Sequence, residues 1–343
     1  NSGGLVFAGG VLRLGAGFTD DISQRSILFL EGGGVMDTNG SDLALAGTLG
    51  SGPGGFTKTG LGNLTLNADA TLTGPTTVAG GTLTLGNSNS IGSGNLAILG
   101  GAVLDVGVSE VTVGRVTTSG ESPVINGTGT IYSTQGFAFG HTGDTLVGAA
   151  LAGPVGLTKT QNNVLALSGA STYTGITEIQ AGTLSIDSMG NVAGGSSALG
   201  NPLNARQGII RMGLTTGATT LAYTGAGHAS DRLVGLQGTT GGVTLSADGT
   251  GAFELGGAVM MRGGNKTLTL RGTSDPSVEN SIGALDGGTL GILSVTKSDA
   301  NTWVLNGANT HTGNTTAGGG VLRAASNSAF GAGVVTLVNS DSV

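Results

Sequence analysis

The sequence predicts an all-β fold, a β-solenoid of stacked parallel coils, and three observations predict it. Apolar-x-apolar triplets recur from one end to the other, the first six of them at similar short intervals. One segment is written three times without a gap, at residues 56–85, 157–186 and 295–324. The intervals between triplets are filled by Gly, Ser, Thr, Asn and Asp, which form turns, and a helical apolar period is nearly absent.

The triplets are the strands. Leu12-Arg13-Leu14, Leu28-Phe29-Leu30, Leu43-Ala44-Leu45, Leu64-Thr65-Leu66, Leu83-Thr84-Leu85 and Leu104-Asp105-Val106 each have the period of two that turns the outer pair inward. About 20 residues with two or three short strands and tight corners make one coil. Coils stacked by parallel pairing at about 4.8 Å align the inward leucines into one column. The expectation is a single elongated rod, residues 1–343 forming one continuous parallel β-solenoid. Asn87, Asn89, Asn191, Asn201 and Asn327 stand at turns, where stacked amide ladders are expected.

The three copies carry the strongest signal. Counting from Lys58, Lys159 and Lys297, a Leu follows eight places on (Leu66, Leu167, Leu305). A Gly follows at sixteen (Gly74, Gly175, Gly313) and a Leu at twenty-five (Leu83, Leu184, Leu322). Three of the four lysines in the chain occupy this one position. The lysine column is expected to be solvated, its stems packed on the surface and its charges discouraging stray strand pairing. Ser197-Ala198-Leu199-Gly200 after the second copy matches Ser328-Ala329-Phe330-Gly331 after the third, so the corner that follows also recurs. Residues 213–291 are the least regular part and carry Arg232, Arg262, Lys266 and Arg271. Their strand-like runs keep them in the same solenoid, a separate small domain being the alternative.

Composition bounds the function. Glycine stands at 70 of 343 residues without a Gly-X-Y period, which excludes collagen. Charged residues are only 10%, too few for a chain held unfolded by its charge. The net charge of -7 comes without runs, so no basic patch points to nucleic acid or to anionic lipid. Cysteine is absent, and with it disulfides and thiolate metal sites. No stretch approaches the roughly 18 apolar residues of a membrane helix, so direct membrane insertion is not expected.

No catalytic, cofactor-binding or metal residue is expected. Asp20-Asp21 is adjacent in sequence, which sends the two carboxylates to opposite faces of a strand; it reads as a solvated turn and not as the acid pair of a glycosidase. Trp303 aligns with Leu64 and Leu165 and is expected in the core. His141, His228 and His311 are widely separated in sequence, and His311 stands where the second copy has Tyr173. Gly50-Ser51-Gly52-Pro53-Gly54-Gly55 fits GxGxxG but runs into a strand-like Phe56-Thr57-Lys58, where a dinucleotide site needs a helix.

The copies resemble the autotransporter-associated β-strand repeat, also called the passenger-associated transport repeat. The resemblance rests on Leu157-Thr158-Lys159, on Leu165-Ala166-Leu167, on the corner from Ser168 to Gly175 and on Gly182-Thr183-Leu184, which closes the repeat. The third copy departs most, with His311 for Tyr173 and Gly318-Gly319-Gly320 in place of part of a strand. The resemblance implies a right-handed parallel β-helix from a large bacterial protein, secreted or displayed on the cell surface, and it implies no catalytic residue. The expected function is therefore a non-enzymatic structural one, an adhesin-like stalk or the repeating body of an extracellular filament or sheath. The alternatives are a polysaccharide-degrading β-helix enzyme, or a receptor-binding module with its patch in 213–291. Strand-like ends without polar caps leave two expectations, a fragment of a longer chain or head-to-tail self-association as a partner relationship.

Overall fold

The computed structural model describes residues 3–238, 241–288 and 291–338. Among them the regular secondary structure is strand throughout, apart from a single 3-10 turn at Ile22–Gln24, and the strand pairs are parallel. The parallel β-solenoid is therefore the observed fold. The chain forms two compact units, Asn1–Val155 with Ser168–Ser171, and Gly156–Leu167 with Thr172–Val343.

In the first unit each coil contributes a strand to a first sheet and a strand to a second. The first sheet stacks Gly34–Asp37, Phe56–Thr59, Thr76–Val78, Leu96–Ile98 and Val116–Gly120 in that order. The second stacks Leu43–Leu45, Asn63–Leu66, Thr82–Leu85 and Val103–Asp105. Short sheets at Leu5–Phe7 to Thr71–Leu72 and at Glu110–Val113 to Ala150–Ala152 make a third side. Phe56 pairs with Thr76, Thr76 with Leu96 and Leu96 with Val116, so successive coils here are equal in length.

This register puts like over like. Leu43, Leu64, Leu83 and Leu104 lie over one another, each almost fully buried. Burying such a side chain is worth about 2 kcal/mol, so these four leucines together contribute about 8 kcal/mol against an ordering cost of about 1–2 kcal/mol for every residue of the coils. Phe7 stacks on Phe29 at 4.6 Å between ring centroids, and Phe29 meets Phe56 edge-on at 5.8 Å. One triplet is framed differently from the expectation. In Ile27–Phe29 the inward pair is Ile27 and Phe29, while Leu30 is exposed, because four consecutive apolar residues leave the pleat free to choose either frame.

The second unit holds two kinds of coil. Leu157–Lys159 pairs with Thr177–Ile179 in a short coil like those of the first unit. From Ile210 onward the coil is longer and grows at each step, Ile210 pairing with Val234, Val234 with Val259 and Val259 with Leu285. Here a third sheet is continuous, from Ala226–Ser230 through Gly251–Leu255 and Glu279–Ile282 to Thr302–Leu305 and Val321–Ala324. The described residues of 213–291, the least regular part in sequence, thus belong to regular three-strand coils whose length does not fit the frame of the shorter ones. Between Ile186 and Ile210 the chain leaves the sheets for a long excursion, residues 187–209.

The second and third copies of the repeat occupy different sides of the solenoid. Lys159 stacks on Ile179, Met212, Leu236 and Met261 in the first sheet. Lys297 stands in the second sheet, in the column that begins at Leu165 and runs through Leu184, Leu221, Leu245 and Leu270. The repeat has moved by one side.

Candidate functional site: buried lysine clamps

The repeat opens with a strand whose alternation fixes everything that follows. In Phe56–Thr59 the burial alternates, so Phe56 and Lys58 both point inward while Thr57 and Thr59 are half-exposed. The same holds for Leu157 with Lys159 and for Val295 with Lys297. Each of the three lysines has no accessible surface. The expectation of a solvated lysine column is therefore wrong, and the reason is geometric: a residue two places from an inward anchor is itself inward.

A buried ammonium needs acceptors, and the corners supply them. Lys58 Nζ donates to the carbonyls of Gly60 at 2.8 Å, Gly80 at 2.9 Å and Thr59 at 3.1 Å, and to Thr38 Oγ1 at 3.0 Å. Lys159 Nζ donates to the carbonyls of Gln161 at 2.6 Å and Ala181 at 3.2 Å, and to Asn163 Oδ1 at 3.0 Å. Lys297 Nζ donates to the carbonyls of Ser298, of Asp299 at 2.8 Å and of Gly319 at 3.1 Å. In all three copies one acceptor lies two places beyond the lysine and another twenty-two beyond it. The first belongs to the lysine's own corner and the second to the corner of the following coil. The lysine is a clamp between coils.

The chain after the second acceptor turns through a glycine at each copy, Gly81, Gly182 and Gly320, with φ of 61°, 72° and 57°. A side chain on Gly81 would lie 2.4 Å from the Gly62 carbonyl oxygen and 2.8 Å from Lys58 Nζ. Glycine is required there on both counts. Burial pushes the Lys58 and Lys297 ammonium groups down to about 8; Asp37 and Asp42 near Lys58, and Asp299 near Lys297, pull the other way. The fourth lysine follows the same rule in reverse. Lys266 is 3% exposed and reaches back to the carbonyls of Gly213 at 2.9 Å and Gly241 at 3.3 Å, in earlier coils.

A second recurrent corner lies fourteen places after the lysine. Tyr173 is buried with its hydroxyl 2.7 Å from Thr177 Oγ1, and burial pushes its phenol up to about 12. His311 takes its place in the third copy with Nε2 3.0 Å from Thr315 Oγ1, and burial holds the imidazole below its ordinary value. In the first copy Leu72 fills the position, and Thr76 Oγ1 turns to the Ile91 carbonyl at 3.2 Å. The position is buried in all three copies, while the threonine four places on finds a different partner in each.

The excursion of 187–209 is fastened by one buried guanidinium. Arg232, 2% exposed, donates from Nη1 to the Leu199 carbonyl at 2.6 Å, from Nη2 to Gly200 at 2.7 Å and from Nε to Gly190 at 3.1 Å. Sequence reasoning places Arg232 only in an irregular region. The recurrent corner Ser197-Ala198-Leu199-Gly200 is legible in sequence, but not that its Leu199 and Gly200 carbonyls accept from Arg232.

The remaining residues singled out in sequence have local roles. Leu66, Leu167 and Leu305 are buried, as is Trp303, whose Nε1 donates to the Arg271 carbonyl at 3.1 Å. Leu83 and Leu184 are fully buried; Leu322 is half-exposed. Gly74 and Gly313 lie where a side chain would come within 2.3 and 2.4 Å of a carbonyl oxygen of the preceding coil. Asp21 caps the Ile22–Gln24 turn, its Oδ1 accepting from the Ser23 amide at 2.8 Å. Residues 50–55 are strand and turn leading into Phe56–Thr59. His141 Nδ1 lies 2.8 Å from Thr118 Oγ1 and His228 Nδ1 lies 2.9 Å from the Tyr223 hydroxyl, so the histidines serve separate coils. The amide ladders give way to other bonds: Asn87, Asn191 and Asn201 each accept from a backbone amide, of Asn89, Asp231 and Gly195. Among the described residues no group of three His, Cys, Asp or Glu could hold a metal ion, and no helix is long and apolar enough to cross a membrane.

The clamp lysine is the third residue of each segment that matches a known family model. Residues 56–85, 157–186 and 295–324 match the passenger-associated-transport-repeat. This chain is a passenger-associated repeat protein. In an alignment of 312 positions that covers 88% of the chain, the repeat protein is 32% identical to a protein described as "Adhesin BmaC autotransporter" from Brucella suis biovar 1 (strain 1330). It spans only 8% of that relative's length. No solved structure matches it. In this repeat protein the lysine and the glycine twenty-three places on lock one coil to the next, and the threonine eighteen places on ties the corner that follows.

Proposed function

We propose that this chain is a non-enzymatic structural segment of a bacterial adhesin-like passenger, secreted or displayed on the cell surface, where it serves as spacer and scaffold. One observation carries the reading: the residues that define the repeat are consumed in stacking. Lys58, Lys159 and Lys297 are wholly buried between corners, and each bonds a carbonyl of its own coil and one of the next. A motif used in this way specifies coil upon coil, which is the requirement of a stalk. The relative described as an autotransporter adhesin supports display outside the cell.

The test is labelling of intact producing cells and their medium with an antibody raised against residues 56–186, before and after protease treatment of the cell surface. Signal on unpermeabilised cells that protease removes, or signal in the medium, is expected. Signal found only after permeabilisation would overturn the placement. Release of reducing ends from an acidic glycan by the purified chain would overturn the non-enzymatic part.

A further inference from the structure

The outer face of the second unit, beside the excursion of 187–209, carries a groove of about 470 Å³ lined by Arg206, Ile209, Arg211, Leu233, Gln237 and Arg262. Its construction follows from the register. Arg211 pairs with Gly235 and Gly235 with Met260, so these three form an outward row across successive coils. Gly235 has no side chain, and the row is interrupted there. A side chain built on it would approach Ile209 at 3.5 Å and Arg262 at 3.8 Å, so the gap lies between an apolar wall and an arginine stem.

The charge in this groove is unusual for the chain. The basic residues number 13, and the four lysines and Arg232 are buried, which leaves eight arginines to face solvent. Three of the eight line one groove, on a chain of net charge -7. Two arginines elsewhere sit in close ion pairs, Arg13 with Asp37 at 3.2 Å and Arg323 with Glu279 at 2.8 Å. In the groove, Arg211 meets Glu178 only at 3.9 Å. Among the described residues, no carboxylate lies within ion-pair distance of Arg206 or Arg262, and Arg262 Nη2 donates to Met260 Sδ at 3.8 Å.

We propose that this groove binds an acidic glycan, a saccharide whose rings carry carboxylate or sulfate groups. Guanidinium forks match both anions in planar, two-point fashion, and three of them around one depression place neighbouring anionic groups of a chain. Ile209 and Leu233 offer aliphatic surface to the C–H faces of a sugar ring, and the missing side chain at Gly235 provides the depth. The lining has no aromatic residue on which a nucleobase could stack, so single-stranded nucleic acid is the poorer fit.

Calorimetric titration of the whole chain with four probes tests it: a heparin-derived hexasaccharide, an oligogalacturonate hexamer, neutral maltohexaose and a short single-stranded oligonucleotide. Saturable binding of one acidic hexasaccharide per chain is expected, weakened by salt, with maltohexaose inert. The heparin and galacturonate arms tell sulfate from carboxylate. Replacing both Arg206→Ala and Arg262→Ala should weaken binding by about tenfold or more, whereas Arg115→Ala with Arg271→Ala, two exposed arginines outside the groove, should leave it within about twofold. Gly235→Val, which fills the floor without touching charge, should also abolish binding. Failure of both acidic probes to bind, equal weakening by the two arginine pairs, unchanged binding by Gly235→Val, or an oligonucleotide bound as tightly would each overturn the proposal.

Discussion

Lys58 Nζ donates to the Gly80 carbonyl at 2.9 Å, so a side chain rooted in one coil holds the corner of the next. Lys159 with Ala181, and Lys297 with Gly319, repeat that bond over the same interval of twenty-two places.

Lys58→Met keeps the stem and removes the donor, leaving the carbonyls of Thr59, Gly60 and Gly80 without it. A loss of about 1–3 kcal/mol is expected, since these carbonyls lie at a corner that water can partly re-solvate. Lys297→Met should behave alike. Denaturant unfolding at neutral pH measures both, and a variant as stable as the parent would show that the clamp contributes nothing.

Stability should rise with pH in the alkaline range. Lys58 and Lys297 have folded values of about 8 against 10.5 when unfolded. Between those limits the unfolded chain holds a proton that the folded chain has released, so the folded state gains as pH increases. The stabilisation is complete above 10.5 and is lost as pH falls through about 8. Thermal melts at closely spaced pH values would show the slope, and the double variant Lys58→Met with Lys297→Met should flatten it.

Two glycines with the same backbone separate conformation from contact. Gly81 and Gly101 have φ of 61° and 71°, but a side chain would meet the Gly62 carbonyl at 2.4 Å at the first and nothing within 4 Å at the second. Gly101→Ala should cost about 1–2 kcal/mol for the left-handed backbone alone. Gly81→Ala should cost about 3 kcal/mol or more, because the corner must also shift. Equal losses would mean that the close approach at Gly81 is readily relieved.

His311 should make the chain acid-sensitive. Its folded value is held below the 6.5 of the unfolded chain, so stability present above 6.5 is lost as pH falls and the unfolded imidazole takes up a proton first. His311→Tyr restores the residue of the second copy, with Thr315 still in place to meet the hydroxyl. Melts at pH 7 and pH 5 should then differ less than in the parent.

Arg232→Met should free the excursion without dissolving the coils. Three carbonyls, of Gly190, Leu199 and Gly200, lose their donor together. Faster amide hydrogen exchange across 187–209, with 219–223 and 243–247 still protected, is the expected pattern.

The fold is legible in the sequence because one physical signal repeats: Leu64 over Leu83 over Leu104 needs only a period of two and a period near twenty. Trp303 is legible through its alignment with Leu64 and Leu165. The lysine column is misread when charge is weighed above alternation; Phe56 and Lys58 two places apart already place the ammonium inside. Its acceptors are hidden, since Gly80 becomes a neighbour only once the next coil is in place. The Ile27–Phe29 frame is ambiguous in a run of four apolar residues. The coils of 210–286 are masked by their greater length, which dephases them from the repeats on either side.

Lys159 and Lys297 stand in neighbouring sheets, yet each closes its own corner in the same way. The motif is therefore indifferent to azimuth: it carries its own lock and asks nothing of the side on which it lands. A gene that lengthens by duplicating such a cassette has no angular phase to preserve, and unequal recombination can add or delete one wherever the reading frame allows.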